Sequence, residues 1–462
     1  MQENGQSVHD IAIIGGGVVG CALLRRFALS GARVVLLERE RDLLSGASKG
    51  NSAILHTGFD APPASLELAC IRAGYAEYLE IRERLNLPLL ETSALLVAWN
   101  DAELARLPAI VAQARDNGVG DVVQIDLDEL YRREPNLAKD ARGAVLIPGE
   151  HVIDPWSAPL AYALQGIANG GVVHRNTQVT GGHFDGSSWT LETDRAPIRA
   201  RTVINAAGLH GDLVERIARP SPFTIHPRKG QFVLFDKPAA RLVRAIILPV
   251  PTERTKGVII ARTAFGNVLV GPTAEDQDDR ETAACDEATL ASLIETGCRL
   301  LPGLAQCSVT ATYAGLRPAT GIKDYWIEAL PDRRWITVGG IRSTGLTAAL
   351  GIARHVAALY ASQFEPLSET VDPIWTPVPN LAEHRPRPYQ QCASEIVCHC
   401  ELVTRDEIEA ALSGPLPAGD LGGLKRRTRC MMGRCQGFYC SRRVAELAGG
   451  RLPDLPAVRL AS

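Results

Sequence analysis

Ile11 to Ile14 is a short apolar run that leads straight into Gly15-Gly16-Gly17-Val18-Val19-Gly20, a GxGxxG turn. An amphipathic stretch, Cys21 to Leu29, follows, then Gly31 and a second apolar run, Val34 to Leu37, ending in Glu38. This is strand, glycine turn, helix, strand, with an acid 18 residues past the last glycine. Gly15 permits the tight turn, Gly17 lets a backbone approach a pyrophosphate, and Gly20 lets helix and strand pack closely. Unpaired N–H groups at the helix start face phosphates, and Glu38 is placed to accept from ribose hydroxyls. A lone glycine turn would say little, but this context points to a dinucleotide site. An acid rather than a base at position 38 disfavours a ribose 2′-phosphate.

The continuation Ser45 to Gly58 is small and polar, suited to close backbone approach around a large flat cofactor. Val203 to Gly208 reads VINAAG, a strand ending in small residues, and Val338 to Thr347 is a strand entering a glycine turn before a helix expected over Ala348 to Leu359. Glycine-rich segments so widely spaced imply one extended cofactor touched from several places. The 462 residues allow two or more domains. A net charge of −3 argues against a nucleic-acid binder that works through a basic surface, leaving small molecules as the expected ligands. No uninterrupted apolar run of about 18 residues appears, and the polar start does not read as a signal peptide. The expectation is a cytoplasmic protein that could dock on a membrane partner.

Six of the 11 cysteines fall in the last 71 residues, and four of them form two close pairs, Cys398-x-Cys400 and Cys435-x4-Cys440. In a reducing compartment such clusters are metal-binding or catalytic rather than disulfide-forming. Four soft sulfur donors suit an iron–sulfur cluster or a structural zinc. Seven basic residues and no acid lie between Lys425 and Arg443; positive charge favours an anionic 2Fe–2S centre without excluding an anionic zinc tetrathiolate. The scattered Cys21, Cys70, Cys285, Cys298 and Cys307 are expected to be buried small apolar residues. Six prolines between Pro366 and Pro388 mark an extended connector. Thr404-Arg405-Asp406-Glu407 fits a capping box, so a helix is expected from Thr404 to about Leu412, with a second over Leu421 to Arg427.

The stretches IAIIGGGVVGCALLRRFALSGARVVLLERE, GNSAILHTGFD, VINAAGLHGD, RKGQFVLFD, TYAGLRPAT and GGIRSTGLTAALGIA, in that order over residues 8 to about 362, resemble the FAD-dependent oxidoreductases of the D-amino-acid oxidase and glycerol-3-phosphate dehydrogenase superfamily. The resemblance implies an α/β and α+β chain: a Rossmann-like FAD-binding domain with an inserted antiparallel-sheet substrate domain. The FAD-binding pieces would be about 1–85, 145–215 and 325–365, and the substrate-domain pieces about 86–144 and 216–324. By resemblance Gly15, Gly17, Gly20 and Glu38 hold the ADP part of FAD. Ser48, Asn51 and Ser52 would lie along the pyrophosphate and flavin, Val179 near the adenine, and Gly340, Gly345, Leu346 and Thr347 at the flavin ring. Arg317 in TYAGLRPAT occupies the position of the family's anion anchor, the other reading being an ordinary ion-pair arginine. His56 in LHTG is the candidate base, weighed against a satisfied structural histidine. Lys229 and Lys256 are weaker candidates. Arg342 and Thr344 stand where related enzymes often carry an acid and a proline, a departure that bears on the substrate.

VCHCELVTRDEIEAAL followed by GLKRRTRCMMGRCQGFYC resembles the bacterioferritin-associated-ferredoxin type of 2Fe–2S domain, found fused to anaerobic-type glycerol-3-phosphate dehydrogenase large subunits and in opine oxidase-like enzymes. It implies a small helical module over about 395–450 after a linker at 366–394. Its ligands would be Cys398, Cys400, Cys435 and Cys440, with Cys430 able to replace one of the last two. Together the two resemblances imply a dehydrogenase that takes hydride from a small anionic secondary alcohol, glycerol 3-phosphate-like, onto FAD. Electrons would leave through the cluster to a partner subunit or quinone-linked acceptor. The alternatives are a 2-hydroxyglutarate-like acid or an opine-like amine as substrate, or an electron-transfer subunit with structural zinc.

Overall fold

In the computed structural model, which describes residues 8–251, 257–383, 388–391 and 393–455, the strand His9–Ile14 lies parallel between Val34–Leu37 and Ile198–Asn205. Both apolar runs are buried because they form the middle of an eight-stranded sheet. The helix Val18–Ala28 joins the first two strands. Its geometry explains the glycines around it: Gly15 has φ +111°, and a Cβ on Gly20 would sit 1.9 Å from the Gly15 carbonyl oxygen. Any side chain at position 20 would push the helix off the strand. Trp335–Gly339 extends the sheet in parallel beside Ile198–Asn205, and Trp326–Leu330 pairs antiparallel with it. Helices Val18–Ala28, Leu66–Ile81, Ser157–Ala168 and Gly345–Gln363 contribute Phe27, Tyr78, Tyr162 and Tyr360 to the largest core. That last helix is longer than expected, since its first turn starts at Gly345.

A second, nine-stranded sheet is built on His226–Phe235 and Val309–Ala319, paired antiparallel from His226↔Ala319 to Phe235↔Val309. Its pairings are antiparallel except one, where Ile246–Pro249 runs parallel to Ala94–Ala98. Two apolar clusters fill its opposite faces, one with Leu96, Phe232 and Ile246, the other with Leu95, Val233 and Ile247. The alternation follows from the period-2 geometry of a strand. The scattered cysteines divide: Cys21 and Cys70 are buried, whereas Cys285, Cys298 and Cys307 are only half-buried. Cys298 and Cys307 pack at the margin of the second sheet's core rather than within it, which corrects the expectation of five buried thiols.

From Phe364 the chain follows the first domain's surface with irregular backbone. Thr370 donates to the Leu29 carbonyl and Val378 to the Leu85 carbonyl, and Leu381 and Ala382 are buried under the second sheet. The C-terminal module is a short hairpin, Ile396–Cys398 with Val403–Thr404, and three helices, Arg405–Ala411, Leu421–Thr428 and Ser441–Ala448. The Thr404 hydroxyl accepts from the Glu407 N–H and the Glu407 carboxylate accepts from the Thr404 N–H, so the capping box forms as its residues dictate. No helix among the described residues is long and apolar enough to cross a membrane.

Candidate active site and cysteine centre

The turn Gly15–Gly17 opens onto a cleft of about 870 Å³ lined also by Glu38, Ser48 and Val179. The Glu38 carboxylate is buried and accepts from the Gly16 N–H at 2.6 Å and the Glu40 N–H at 2.8 Å. Burial raises its pKa despite these bonds. The Val18 N–H, at the start of the first helix, donates to the Ser48 hydroxyl at 3.0 Å. Gly20 lies outside the cleft and serves packing.

The cleft runs into a narrower pocket between the two large sheets, and both are lined by Gly17, Ala47, Ser48, Ala206, Gly208 and Leu316. Asn51, Ser52, Arg317, Gly345 and Leu346 line the narrower pocket. Tyr313 stacks on Phe232 and its hydroxyl donates to the Asn51 carbonyl at 2.8 Å, tying the Asn51 segment to the second sheet. The 19-residue helix Gly345–Gln363 points its N-terminus at this pocket, where unpaired N–H groups favour negative charge. Gly340 and Thr347 stand behind the wall. Gly340 takes the left-handed turn at φ +70°, and the Thr347 hydroxyl accepts from the His56 N–H at 3.0 Å and donates to the Ile54 carbonyl at 3.2 Å.

Arg317 is half-buried, and its guanidinium donates to the carbonyls of Thr273 at 2.7 Å, Lys229 at 3.2 Å and Arg228 at 3.4 Å. No carboxylate pairs with it among the described residues, and Arg228 pairs instead with Asp276. Burial, with Arg228 nearby, lowers the Arg317 pKa to about 10. A half-buried cation held by carbonyls alone has a charge available for a bound anion. Arg342 lines the same pocket and pairs at 3.0 Å with Glu67, which is buried and also accepts from the Thr344 hydroxyl at 2.7 Å. The two residues that depart from related sequences are therefore locked to one carboxylate. Lys229 is paired with Glu275 at 3.0 Å and lies outside the pocket; Lys256 falls outside the described residues.

His56 lines neither cavity. Its Nδ1 is 2.9 Å from Oε2 of Glu150, a fully buried carboxylate that also accepts from the Thr57 N–H and hydroxyl at 2.6 and 2.9 Å. Glu150 has no local motif to announce it in the sequence.

In the C-terminal module the sulfurs of Cys398, Cys430 and Cys440 lie within 4.8 Å of one another, all buried. Cys400 and Cys435 form a second, less buried pair in hydrogen-bonding contact, and the Cys398 charge is felt by both. The thiols of Cys430 and Cys440 donate to Cys398 and so favour its thiolate, while the same contact pushes the Cys440 thiol up. Five thiols thus converge, and the structure draws Cys430 in with the other four. Around them, Arg429 pairs with the buried Glu401 at 2.9 Å and lies 3.9 Å over the Phe265 ring, which stacks on Trp156. Arg434 pairs with Asp236, and Lys237 lies 3.4 Å from Glu401.

The model of the FAD-dependent oxidoreductase family matches residues 10–359. The chain belongs to that family. A BFD-like [2Fe-2S] binding domain matches residues 396–448. The chain is 30% identical to a glycerol 3-phosphate dehydrogenase of Caloramator mitchellensis, over 96% of this chain and 95% of that one. It is 26% identical to a subunit of the anaerobic glycerol-3-phosphate dehydrogenase of Escherichia coli strain K12, over 97% and 89%. Among solved structures, dithionite-reduced L-alpha-glycerophosphate oxidase from Mycoplasma pneumoniae with FAD bound superposes with a TM-score of 0.75 at 27% identity, covering 81% of this chain and all of that one. The cofactors are accordingly FAD and a 2Fe–2S cluster, and the residues present suit both. The cleft joins a glycine turn and the buried Glu38 carboxylate to a helix-tipped pocket, and the module supplies more than enough thiols for a cluster.

Proposed function

We propose that this oxidoreductase is a glycerol 3-phosphate dehydrogenase, or acts on a near relative of that small anionic secondary alcohol, making the ketone. The observation that carries this reading is Arg317: a half-buried guanidinium at the pocket between the sheets, held by carbonyls and unpaired with any carboxylate among the described residues. Planar paired donors suit a phosphate. Arg342 on the pocket wall is already neutralised by Glu67, which leaves Arg317 as the anchor. Bound FAD supplies the hydride acceptor.

The chain's own part is to hold and deprotonate the substrate. Arg317 anchors the anion, and the helix N-terminus at Gly345 and Leu346 favours negative charge at the pocket. His56 is the base we assign for the alcohol proton: its ring lines neither cavity, but its backbone N–H donates to Thr347, two residues from the pocket-lining Gly345, and its Nδ1 is oriented by Glu150. The ADP contacts of Gly15, Gly17, Glu38 and Val179, and the flavin contacts of Asn51 and Ser52, belong to the same reading. Cys398, Cys400, Cys435 and Cys440 are the cluster ligands we assign, with Cys430 as the fifth thiol close enough to replace one.

Electrons leave, in this account, through the cysteine centre to a partner subunit. Pro155 lines the pocket, Trp156 stacks on Phe265, and Arg429 covers Phe265 one residue from Cys430, so packed side chains join the two sites. On the outer side Phe438 and Tyr439 are 80% and 79% exposed between Cys435 and Cys440. An apolar pair so exposed fits a docking partner, which would place the protein at the membrane's inner face only through that partner.

Turnover with an artificial electron acceptor across glycerol 3-phosphate, 2-hydroxyglutarate and an opine tests the substrate. Activity on an amine and none on glycerol 3-phosphate would overturn the reading, and zinc without iron in anaerobically purified protein would remove the relay.

A further inference from the structure

The C-terminal module reaches into the nucleotide cleft. Asp420, Gly422, Arg426 and Asp454 line it together with Gly15–Gly17 and Glu38. The contact is close: a Cβ on Gly419 would lie 1.9 Å from the Arg41 carbonyl oxygen, and one on Gly423 would lie 1.6 Å from Asp42 Oδ2. Asp42, fully buried, accepts from Arg427 at 2.6 and 2.9 Å and from the Gly419 N–H at 3.1 Å. Arg175 donates to the Pro417 carbonyl at 2.6 Å. The helix Leu421–Thr428 is thereby seated beside Glu38 with Arg426 facing inward.

Cleft cations differ in what neutralises them. Arg39 makes a two-pronged pair with Glu281 at 2.9 and 2.7 Å, Arg280 is paired in the same way with Asp212, and Lys49 is exposed. Arg426 is 7% exposed, donates through Nη2 to the Leu43 carbonyl at 3.0 Å, and has its Nε buried without a hydrogen-bond partner. Asp420 approaches it only to 3.8 Å and is already committed to capping the helix through the Gly423 N–H. Asp454 accepts from the Leu421 N–H. A buried guanidinium with an unmet N–H is costly unless a ligand meets it.

We propose that Arg426 is a cofactor-binding residue that engages the anionic ADP half of FAD, so that the cluster-bearing module completes the flavin site in the same chain. FAD affinity and module docking are then linked, each strengthening the other by the same factor. This rests on the placing of the ADP half of FAD in the cleft and is independent of which substrate the enzyme takes.

Release of FAD from the holoenzyme, followed by flavin fluorescence after dilution, tests the contact without substrate. Arg426→Met is expected to release FAD about tenfold faster than wild type and Arg426→Lys less than about threefold faster, with the cluster's visible circular dichroism unchanged in both. Release from Arg426→Met within about twofold of wild type, or equally fast release from both variants, would overturn the proposal. Hydrogen exchange in the full wild-type chain provides a second measurement that needs no variant: residues 421–428 should exchange more slowly with FAD bound than after FAD removal. Equal exchange in the two states would contradict the linkage.

Discussion

The nucleotide-binding half and the cysteine module are held together by different physics. The first domain buries a cluster of 43 apolar residues, whereas the module's own cluster has 13, three of them cysteines. Apolar burial at roughly 25 cal/mol per Å² sustains the former; a module of that size needs a metal centre or a neighbour to hold it. It has both: converging thiols within, and ion pairs with the larger domain, the buried Asp42–Arg427 and the more exposed Arg434–Asp236. Its Leu416 even packs into the first domain's core. A large core tolerates an empty cofactor site, and a small one makes its cofactor and its contacts part of its stability.

The sharpest way to break this contrast is to remove a cluster thiol. Cys398→Ser should abolish bound iron, read by iron and sulfide analysis, and unfold the module while the first domain stays folded. Retained iron would mean Cys430 and the remaining thiols suffice. Next in size, Asp42→Ala removes a fully buried carboxylate from the half-buried Arg427 and from Arg175, 3.5 Å away, and loss of one partner of a buried pair costs up to about 3–5 kcal/mol; denaturant titration should show an earlier transition for the module. In the pocket, Arg317→Ala should lower kcat/KM for an anionic substrate by about 2–5 kcal/mol, at least about 30-fold, with the fold intact.

Arg317 also sets a pH limit. Its pKa is lowered to about 10 by burial, so the charge is present at neutral pH and lost as pH rises through that value. kcat/KM should fall on that alkaline limb, and kcat less, since a bound anion holds the proton on the guanidinium. Smallest of all, Thr404→Ala removes the capping hydroxyl from Arg405–Ala411 and should destabilise the module by about 1 kcal/mol, measured by denaturation of the full chain.

Local chemistry was legible in the sequence. Gly15, Gly17 and Glu38 lie within one strand–helix–strand unit, and Thr404 with Glu407 within one turn, so spacing alone determines their geometry. Three kinds of residue escaped. Glu150 meets His56 across 94 positions and Arg426 meets Leu43 across 383, separations at which only the folded topology says what touches. Phe265, Trp156 and Arg429 carry no motif, and an aromatic or arginine alone reads as core or surface. Cys430 was visible, yet its place beside Cys398 and Cys440 comes from the loop that follows Leu421–Thr428, where Arg429 and Met431 both take φ +66°. His56 stood out in the sequence by its LHTG segment, but its pairing with the buried Glu150 was not readable there.

The central claim is that a small anionic alcohol reduces the flavin and that the cysteine centre then receives electrons within the same chain. Anaerobic addition of glycerol 3-phosphate to the isolated holoenzyme, with flavin bleaching and cluster reduction followed in the same spectrum, tests it most directly. The account predicts flavin bleaching followed by the spectrum of a reduced 2Fe–2S cluster, with both suppressed in Arg317→Ala. An unbleached flavin, or a bleached flavin beside a cluster that stays oxidised, would contradict it.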